Sequence, residues 1–315
     1  MERIQRARAD PHPLDPLSAH ELSSVTSILR AHEGFATLGE RTRFVTIALR
    51  EPPKDAVLAW ADGGALPRRE AEAVILDRDA ECSIEAIVTL APDAVVSWTP
   101  RTDIQPMAVV TELMEAEALV LGDPAFRAAM ERRGIADLDA IQVDAWPAGH
   151  FGEPDDDGRR LSRCVAFVKP HPGDNEWAHP VDGVIAFVDL NRLEVLRVED
   201  HGVVPVPPES GNFDPAAGAP LRDDIAALEI TQPDGPGFTL AGRVLSWQSW
   251  QVHVGFTPRE GLVLNRLGYE DGGRLRSILY RASLSEMVVP YGDPSPTHYW
   301  KNAFDGGENG VGVAA

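Results

Sequence analysis

The run GFTLAGRVLSWQSWQVHVGFTPREGLVLNRLGYEDGGRLRSILYRASLSEMVVP (residues 237–290) carries strand and turn signals throughout. Val252, Val254 and Phe256 alternate with other residues, which is the period of a β-strand. The sequence EDGG (270–273) is typical of a hairpin turn, because glycine tolerates positive φ. About five strands are predicted, with no helical period between them. This is the pattern of the first strands of a large β-sandwich. A complete sandwich needs more strands to cover its inner faces.

Upstream of this run, the sequence predicts a unit that mixes helices and strands. MAVVTELMEAEALVLG (107–122) and PAFRAAMERRG (124–134) have helical spacing, with Asp123 as a cap and Gly134 as a stop. Four strand-like runs follow: IQVDAWP, RLSRCVAFVKP, GVIAFVDLN and LEVLRVED. From residue 203 a Pro-, Gly- and acid-rich stretch predicts a linker or an extended strap.

A similar unit precedes it. In SAHELSSVTSILRAH (18–32), Ser18 and Glu21 form a capping box, and apolar residues follow at helical spacing. The next four runs are predicted as strands because they are short, apolar and bounded by Pro, Gly or Asp: RFVTIALR, AVLAWAD, EAEAVILDRD and CSIEAIVTL. This unit therefore reads as one helix packed on a small antiparallel sheet.

The predicted fold class is α+β. A lead-in (1–14) is followed by two small helix-on-antiparallel-sheet domains (15–100 and 101–212). Residues 213–315 are predicted to form the first strands of a β-sandwich that this stretch alone does not complete.

Composition narrows the function. The chain has 315 residues and a formal net charge of −20. Nucleic acids and anionic membrane surfaces need a basic partner, so neither is expected to bind. The two cysteines, Cys82 and Cys164, lie in apolar runs and are expected to be buried, reduced thiols. The opening MERIQRARADPHP has no signal-peptide core, and no apolar run approaches the ~20 residues of a membrane span. We expect a soluble, cytoplasmic protein.

Taken alone, the short motifs of the sequence do not identify a catalytic or metal site, and each also fits an ordinary structural role. The scattered histidines show no HxH or HExxH spacing and predict no metal site: His150, His171, His179, His201 and His253. Nucleotide-binding glycine loops and GxSxG are absent from the sequence. WAHPVDG (177–183) is typical of an aromatic residue at a strand entry, and YGDPSP (291–296) and FDGGE (304–308) are typical of turns.

Several longer stretches together carry a resemblance: AFVKPHPGDNEWAHPVDGVIAFVD (166–189), QPDGPGFTLAGRVLSWQSWQVHVGFTPREGLVLNRLGY (232–269), YRASLSEMVVPYGDPSP (280–296) and WKNAFDGGENGVG (300–312). From about residue 12 to its end, the chain resembles the bacterial type of copper-containing, topaquinone-dependent primary amine oxidase. The resemblance implies two small α+β domains before a β-sandwich catalytic domain. It also implies that a primary amine and O₂ are converted to an aldehyde, H₂O₂ and ammonia.

The resemblance implies roles for four residues. Asp305, in FDGGE, matches the base that removes a proton from the carbon next to nitrogen. Tyr291, in PYGDP, matches the tyrosine that hydrogen-bonds a cofactor oxygen. Trp177, in WAHPVDG, matches an aromatic residue of the substrate funnel. Ala303 stands where the family usually has an aromatic gate, so a wider channel is expected.

The family's N-Y-D/E motif, HxH copper pair and distant third histidine have no counterpart in this sequence. The resemblance therefore implies that topaquinone and Cu(II) are on a partner chain and that this chain alone binds neither. The favoured hypothesis is the N-terminal subunit of a split oxidase, in which another chain completes the β-sandwich. Such an assembly would contain two copies of each chain, and this chain would be inactive in isolation. A truncated or processed piece of one longer oxidase is the second hypothesis. A non-catalytic binding or regulatory protein is the third.

Overall fold

The computed structural model describes residues 12–153, 158–171, 173–212, 222–284 and 289–301. They divide into two compact units, one from residues 12–107 and 231–284 and the other from residues 108–230 and 289–301. Three sheets are present in these ranges, each an antiparallel meander of sequential strands. The predicted α+β class is confirmed. Within the described residues, no helix combines the length and the apolar character that crossing a membrane requires.

The first sheet has the order β1-β2-β3-β4, and one helix packs on it. Its elements are α1 (Ala19–Ala31), β1 (Thr42–Arg50), α2 (Lys54–Ala61), β2 (Glu70–Asp77), β3 (Cys82–Leu90) and β4 (Asp93–Arg101). The capping box is confirmed, because Ser18 Oγ accepts from the Glu21 amide and the Glu21 carboxylate accepts from the Ser18 amide. Val25 and Leu29 of α1 are fully buried against the sheet.

Two elements of this unit differ from the prediction. AVLAWAD (56–62) was predicted as a strand, but most of it lies in α2, so that prediction was wrong. Val57 and Trp60, three residues apart, are buried on one helical face, and Pro53 stands at the N-cap position. Strand β4 was not predicted.

Both cysteines have free thiols, but only Cys164 is buried. Cys82 is half-buried, contrary to expectation.

The second unit contains α3 (Val110–Gly122), α4 (Pro124–Arg132), β5 (Ile141–Pro147), β6 (Leu161–Val168), β7 (Val184–Asp189) and β8 (Glu194–Asp200). Asp123 caps α4, because its Oδ1 accepts from the Ala125 and Phe126 amides at 2.8 and 2.9 Å. Gly134 follows α4 with a φ of 76°. The predicted cap and stop are confirmed.

Both faces of the β5–β8 sheet are covered. On one face, α3 and α4 pack with alternate strand residues into the main core. On the other face, Trp300 packs against Val165, Ile185 and Phe187. Residues 201–212 run as an extended strap whose ties include His179 Nδ1 to the Pro207 carbonyl oxygen, at 2.7 Å. The C-terminal segment 289–301 therefore belongs to the second unit.

The third sheet has the order β13-β12-β11-β10-β9. Its strands are β9 (Phe238–Ala241), β10 (Val244–Trp247), β11 (Trp250–Thr257), β12 (Gly261–Asp271) and β13 (Arg274–Ser283). Gly272 and Gly273 turn between β12 and β13 with φ of 58° and 80°, which confirms the predicted hairpin.

The two faces of this third sheet differ in burial. The cross-strand pair His253 and Asn265 is buried on one face. On the opposite face, the cross-strand pair Phe256 and Leu262 is 43% and 57% exposed. One side of the sheet is therefore packed and the other presents large apolar side chains.

Candidate functional site

The aromatic segment 289–301 forms a closed loop against the second sheet. The Tyr291 amide donates to the Lys301 carbonyl oxygen at 3.0 Å, which brings the two ends of the loop together. Within the loop, the Ser295 amide donates to Asp293 Oδ1 at 2.8 Å, as in an Asx turn. Trp300 anchors the loop, because its side chain is 2% exposed.

Strand β5 supplies the surface that this loop contacts. Because side chains alternate along a strand, Gln142, Asp144 and Trp146 share the face opposite the helical core. The Trp146 ring stands edge-on to Tyr291 and to Trp300, with ring centroids 6.0 Å apart in each case. Such T-shaped contacts are favourable because a positive ring edge meets a negative ring face.

Trp177 reaches the same strand from a 3₁₀ turn, Glu176–Ala178. Its indole Nε1 donates to Asp144 Oδ2 at 3.0 Å, while Gln142 Nε2 donates to Asp144 Oδ1 at 2.9 Å. The Trp177 side chain is otherwise open, because the residue is 60% exposed. Trp177 and Tyr291, assigned separately from the sequence, are thus connected through Asp144 and Trp146 of β5.

Charge accumulates around this surface. Burial lowers the pKa of Lys301, although the carboxylates of Asp182, Asp144 and Asp293 oppose that shift. Burial raises the pKa of Glu117, and the nearby Asp144 charge adds to the effect. A surface with exposed aromatic rings and nearby carboxylates is suited to a cation with an apolar body, as a protonated amine is.

The four site residues predicted from the sequence have different outcomes. Trp177 and Tyr291 lie on the aromatic surface just described, Tyr291 being 48% exposed. Ala303 and Asp305 lie outside the described residues. The proposed roles of all four remain predictions.

Sequence reasoning missed three residues of this surface: Asp144, Trp146 and Lys301. The alternation of IQVDAWP marked the outward face of a strand, but the loop that would cover part of this face is about 150 residues away. Lys301 could have been noticed from composition, because lysine is rare in this chain: Lys54 and Lys169 are the other two.

The described residues bring one group of potential metal ligands together: His12, Asp15 and His253, with ligand atoms within 4.8 Å of one another. His253 Nε2 lies 2.8 Å from Asp15 Oδ1, and the two imidazoles stack with centroids 4.0 Å apart and 20° between their planes. Stacked, nearly parallel rings direct their lone pairs in separate planes, not toward one ion at ~2 Å. Burial, with the charges of His253 and Arg266, lowers the pKa of His12 to about 3.

This group does not fit the imidazole set that binds copper, which prefers converging nitrogen ligands in a tetragonal arrangement. It instead ties the lead-in to β11. Nor does any of the four tyrosines follow an asparagine, as the quinone-forming tyrosine of the family does. The residues that the structure describes therefore do not offer the copper or quinone site.

Comparison with known proteins accounts for nearly the whole chain. Residues 12–101 match the copper amine oxidase N2 domain, residues 111–216 match the N3 domain, and residues 239–315 match the enzyme domain. A primary amine oxidase from Arthrobacter sp. (strain P1) is 45% identical over 305 residues, which are 96% of this chain and 46% of that protein. Histamine oxidase from Arthrobacter globiformis is 42% identical, with 96% of this chain and 44% of that protein covered.

The fold agrees with these matches. The crystal structure of a copper-containing benzylamine oxidase from Hansenula polymorpha superposes with a TM-score of 0.77 at 27% identity, covering 95% of this chain and 48% of that chain. The chain spans about half the length of the relatives it matches. It belongs to the copper amine oxidase family, of which it carries the N2 domain, the N3 domain and the start of the enzyme domain.

Proposed function

We propose that this chain is the N-terminal subunit of a heteromeric copper amine oxidase, which converts a primary amine and O₂ to an aldehyde, H₂O₂ and ammonia. A second polypeptide completes the β-sandwich and carries topaquinone and Cu(II). Two copies of each chain form the assembly, and this chain is inactive alone. We propose a cytoplasmic location, with no nucleic-acid or membrane partner.

The observation that carries the proposal is a face of the third sheet that remains exposed among the described residues. Phe256 and Leu262 pair across β11 and β12 and are 43% and 57% exposed. Phe238 and Trp247 pair across β9 and β10 and are also about half exposed. In a β-sandwich, the inner face of each sheet packs against the other sheet. Exposed apolar patches of this kind mark sites of association, so a partner is expected to cover this face.

In the proposed enzyme, this chain provides the proton-transfer and channel residues. The Asp305 carboxylate takes the proton from the carbon next to the amine nitrogen. A general base works best when its pKa lies near the working pH. Tyr291 donates a hydrogen bond toward a cofactor oxygen. Trp177 lines the substrate channel, and Ala303 leaves that channel wide enough for a bulky amine.

Copper and topaquinone, when bound, supply the redox chemistry of the reaction. Since the described residues of this chain do not fit either group, we assign both to the N-Y-D/E and HxH motifs of the second polypeptide. The contribution of this chain is to orient the amine and to hold the proton.

Two alternatives lead to different assemblies. A single longer oxidase would supply the remaining strands from the same polypeptide. A non-catalytic binding protein would use the aromatic surface of β5 without turnover. Ala303 in place of an aromatic gate favours the non-catalytic binding protein. The exposed Phe256–Leu262 pair disfavours it, because exposed apolar sheet faces promote aggregation.

Native mass spectrometry of the protein purified from its source, repeated under denaturing conditions, distinguishes these cases. The expected result is a complex that contains this 34.2 kDa chain, a second chain of roughly 300–350 residues, and copper. A longer parent polypeptide would replace the split arrangement with a processed oxidase. A metal-free 34.2 kDa species alone would overturn the catalytic proposal.

A further inference from the structure

Lys301 is unlike the other two lysines of the chain. Lys54 is exposed, and its Nζ lies 5.1 Å from the centroid of the Tyr280 ring. Lys169 pairs with Glu176 at 3.3 Å. Lys301 is only 9% exposed, and its Nζ has no hydrogen bond or ion pair with any of the residues that the structure describes. Removing a lysine side chain from most of its surrounding water is costly even where aromatic rings lie near its ammonium group, so its placement needs an explanation.

The surroundings of Lys301 combine aromatic rings with acids at a greater distance. Its Nζ lies 5.5 Å from the Trp146 ring centroid and 5.8 Å from that of Trp300. The charged and titratable groups that act on it are Asp144 from β5, Asp182 from the loop before β7, and Asp293 and His298 from its own loop. Burial outweighs the three carboxylates, so the pKa of Lys301 is lowered.

We propose that Lys301 is a carbonyl-reactive lysine, which forms a reversible imine with aldehydes that reach the face formed by Trp146 and Tyr291. The neutral Nζ attacks the carbonyl carbon and forms a C–N bond. The two Nζ protons are transferred to the oxygen, which leaves as water when the C=N bond forms. No oxidant or reductant is required, and hydrolysis restores both partners.

The aldehyde class follows from the same surroundings. The Trp146 and Tyr291 rings favour a substituent with an apolar or aromatic body. Asp144, Asp182 and Asp293 place negative charge near Nζ, which disfavours a carboxylate-bearing carbonyl compound. If the proposed function holds, the aldehyde product of the oxidase is a natural source of the carbonyl compound. The imine on Lys301 would then increase as that product accumulates.

The test is reductive trapping on the purified, full chain, together with its partner if one co-purifies. The protein is incubated with benzaldehyde and sodium cyanoborohydride at pH 7, and benzylated peptides are quantified by mass spectrometry. We expect Lys301 to be labelled at least fivefold faster than Lys54 or Lys169, which serve as internal controls. Labelling in 6 M urea, where the environment is lost, should abolish that preference.

Three variants test whether the reactivity depends on the surroundings of Lys301. In Asp144→Asn, the loss of one carboxylate should move the pH of half-maximal Lys301 labelling downward. Asp271→Asn, at an exposed hairpin, should leave it unchanged. In Lys301→Arg, labelling of Lys54 and Lys169 should continue unaltered, which shows that their reactivity does not depend on Lys301.

Equal labelling of the three lysines in folded protein, or no pH shift in Asp144→Asn, would overturn the proposal. The trapping requires no copper, quinone or turnover. It therefore gives its answer even if the chain proves to have no oxidase activity, and amine turnover is assayed separately.

Discussion

The indole Nε1 of Trp177 donates to Oδ2 of Asp144 across 3.0 Å, although 33 residues separate them in the chain. This hydrogen bond sets an exposed indole ring beside β5, on the strand face that also carries Trp146. The predicted funnel residue is therefore held in place by a strand that had no assigned role in the site.

Two replacements of Trp177 should distinguish the contribution of its aromatic ring to amine binding from that of its hydrogen bond. Trp177→Phe keeps an aromatic ring, and we expect the KM for benzylamine in the assembled enzyme to change less than about threefold. Trp177→Ala removes the ring and should raise KM about tenfold, which corresponds to ~1.4 kcal/mol. Steady-state kinetics measure both. Equal KM values in the two variants would show that the ring does not contact the amine.

The base assignment predicts a loss of turnover without loss of metal. Asp305→Asn in the assembled complex should lower kcat at least about 10³-fold, because the amide cannot accept the proton. Copper content, measured by inductively coupled plasma mass spectrometry, should stay at the wild-type level. Asp271→Asn is the control for a change of charge at a hairpin. Near-normal turnover in Asp305→Asn would refute the assignment.

The aromatic anchor of the C-terminal loop should dominate the stability of its unit. Trp300 is 2% exposed, so Trp300→Ala should lower the free energy of unfolding by about 3–5 kcal/mol. Trp177→Ala is a matched control at 60% exposure and should cost less than about 1 kcal/mol. Urea denaturation followed by near-UV circular dichroism compares them. Similar losses in both variants would contradict the packing of residues 289–301.

The stacked His12 and His253 pair predicts a pH effect on stability. The pKa of His12 falls from 6.5 to about 3 on folding, so the unfolded chain binds the additional proton first as pH decreases. Stability from this group is complete above pH 6.5 and is lost as pH falls toward 3. The urea midpoint of wild type should therefore drop between pH 7 and pH 5. A smaller drop in His12→Gln is expected; an identical drop would exclude His12 as the cause.

The apolar face of the third sheet predicts an assembly defect. Phe256→Asp with Leu262→Asp should prevent a second polypeptide from co-purifying, because charge would be buried at the contact. Met114→Asp, on α3 at 62% exposure, is the control and should not interfere. Without a partner, the wild-type chain should be poorly soluble. A monodisperse monomer with a cooperative melting transition would contradict both expectations.

Local signals predicted much of the fold. The Ser18–Glu21 capping box, the Asp123 cap and the Gly272–Gly273 hairpin depend on neighbours in sequence, and the structure confirms all three. The run AVLAWAD was ambiguous, because short apolar runs of alanine and valine fit both a strand and a buried helix face. Burial of Val57 and Trp60 against the rest of the unit decides for the helix.

The candidate site was less accessible to sequence reasoning. Trp177 and Tyr291 were found through the resemblance, but their connection through Asp144 and Trp146 depends on strand pairing and on a loop far along the chain. Burial of Lys301 likewise arises from tertiary packing. The roles of Asp305 and Ala303, and the domain limits at 100, 212 and 213, remain predictions.

The hydrogen bond that closes the Tyr291–Lys301 loop has an evolutionary consequence. Since the two ends of the loop are fixed to each other, the turn between them can lengthen or change composition while Tyr291 and Lys301 keep their positions. If the proposed function holds, variation in amine preference among related chains is expected in residues 292–296, which are exposed or half-buried, and not at Thr297, which is buried, or Tyr299, which hydrogen-bonds Glu153 and Arg163. Under that proposal, this exposed turn is the place to begin redesigning amine selectivity by loop exchange.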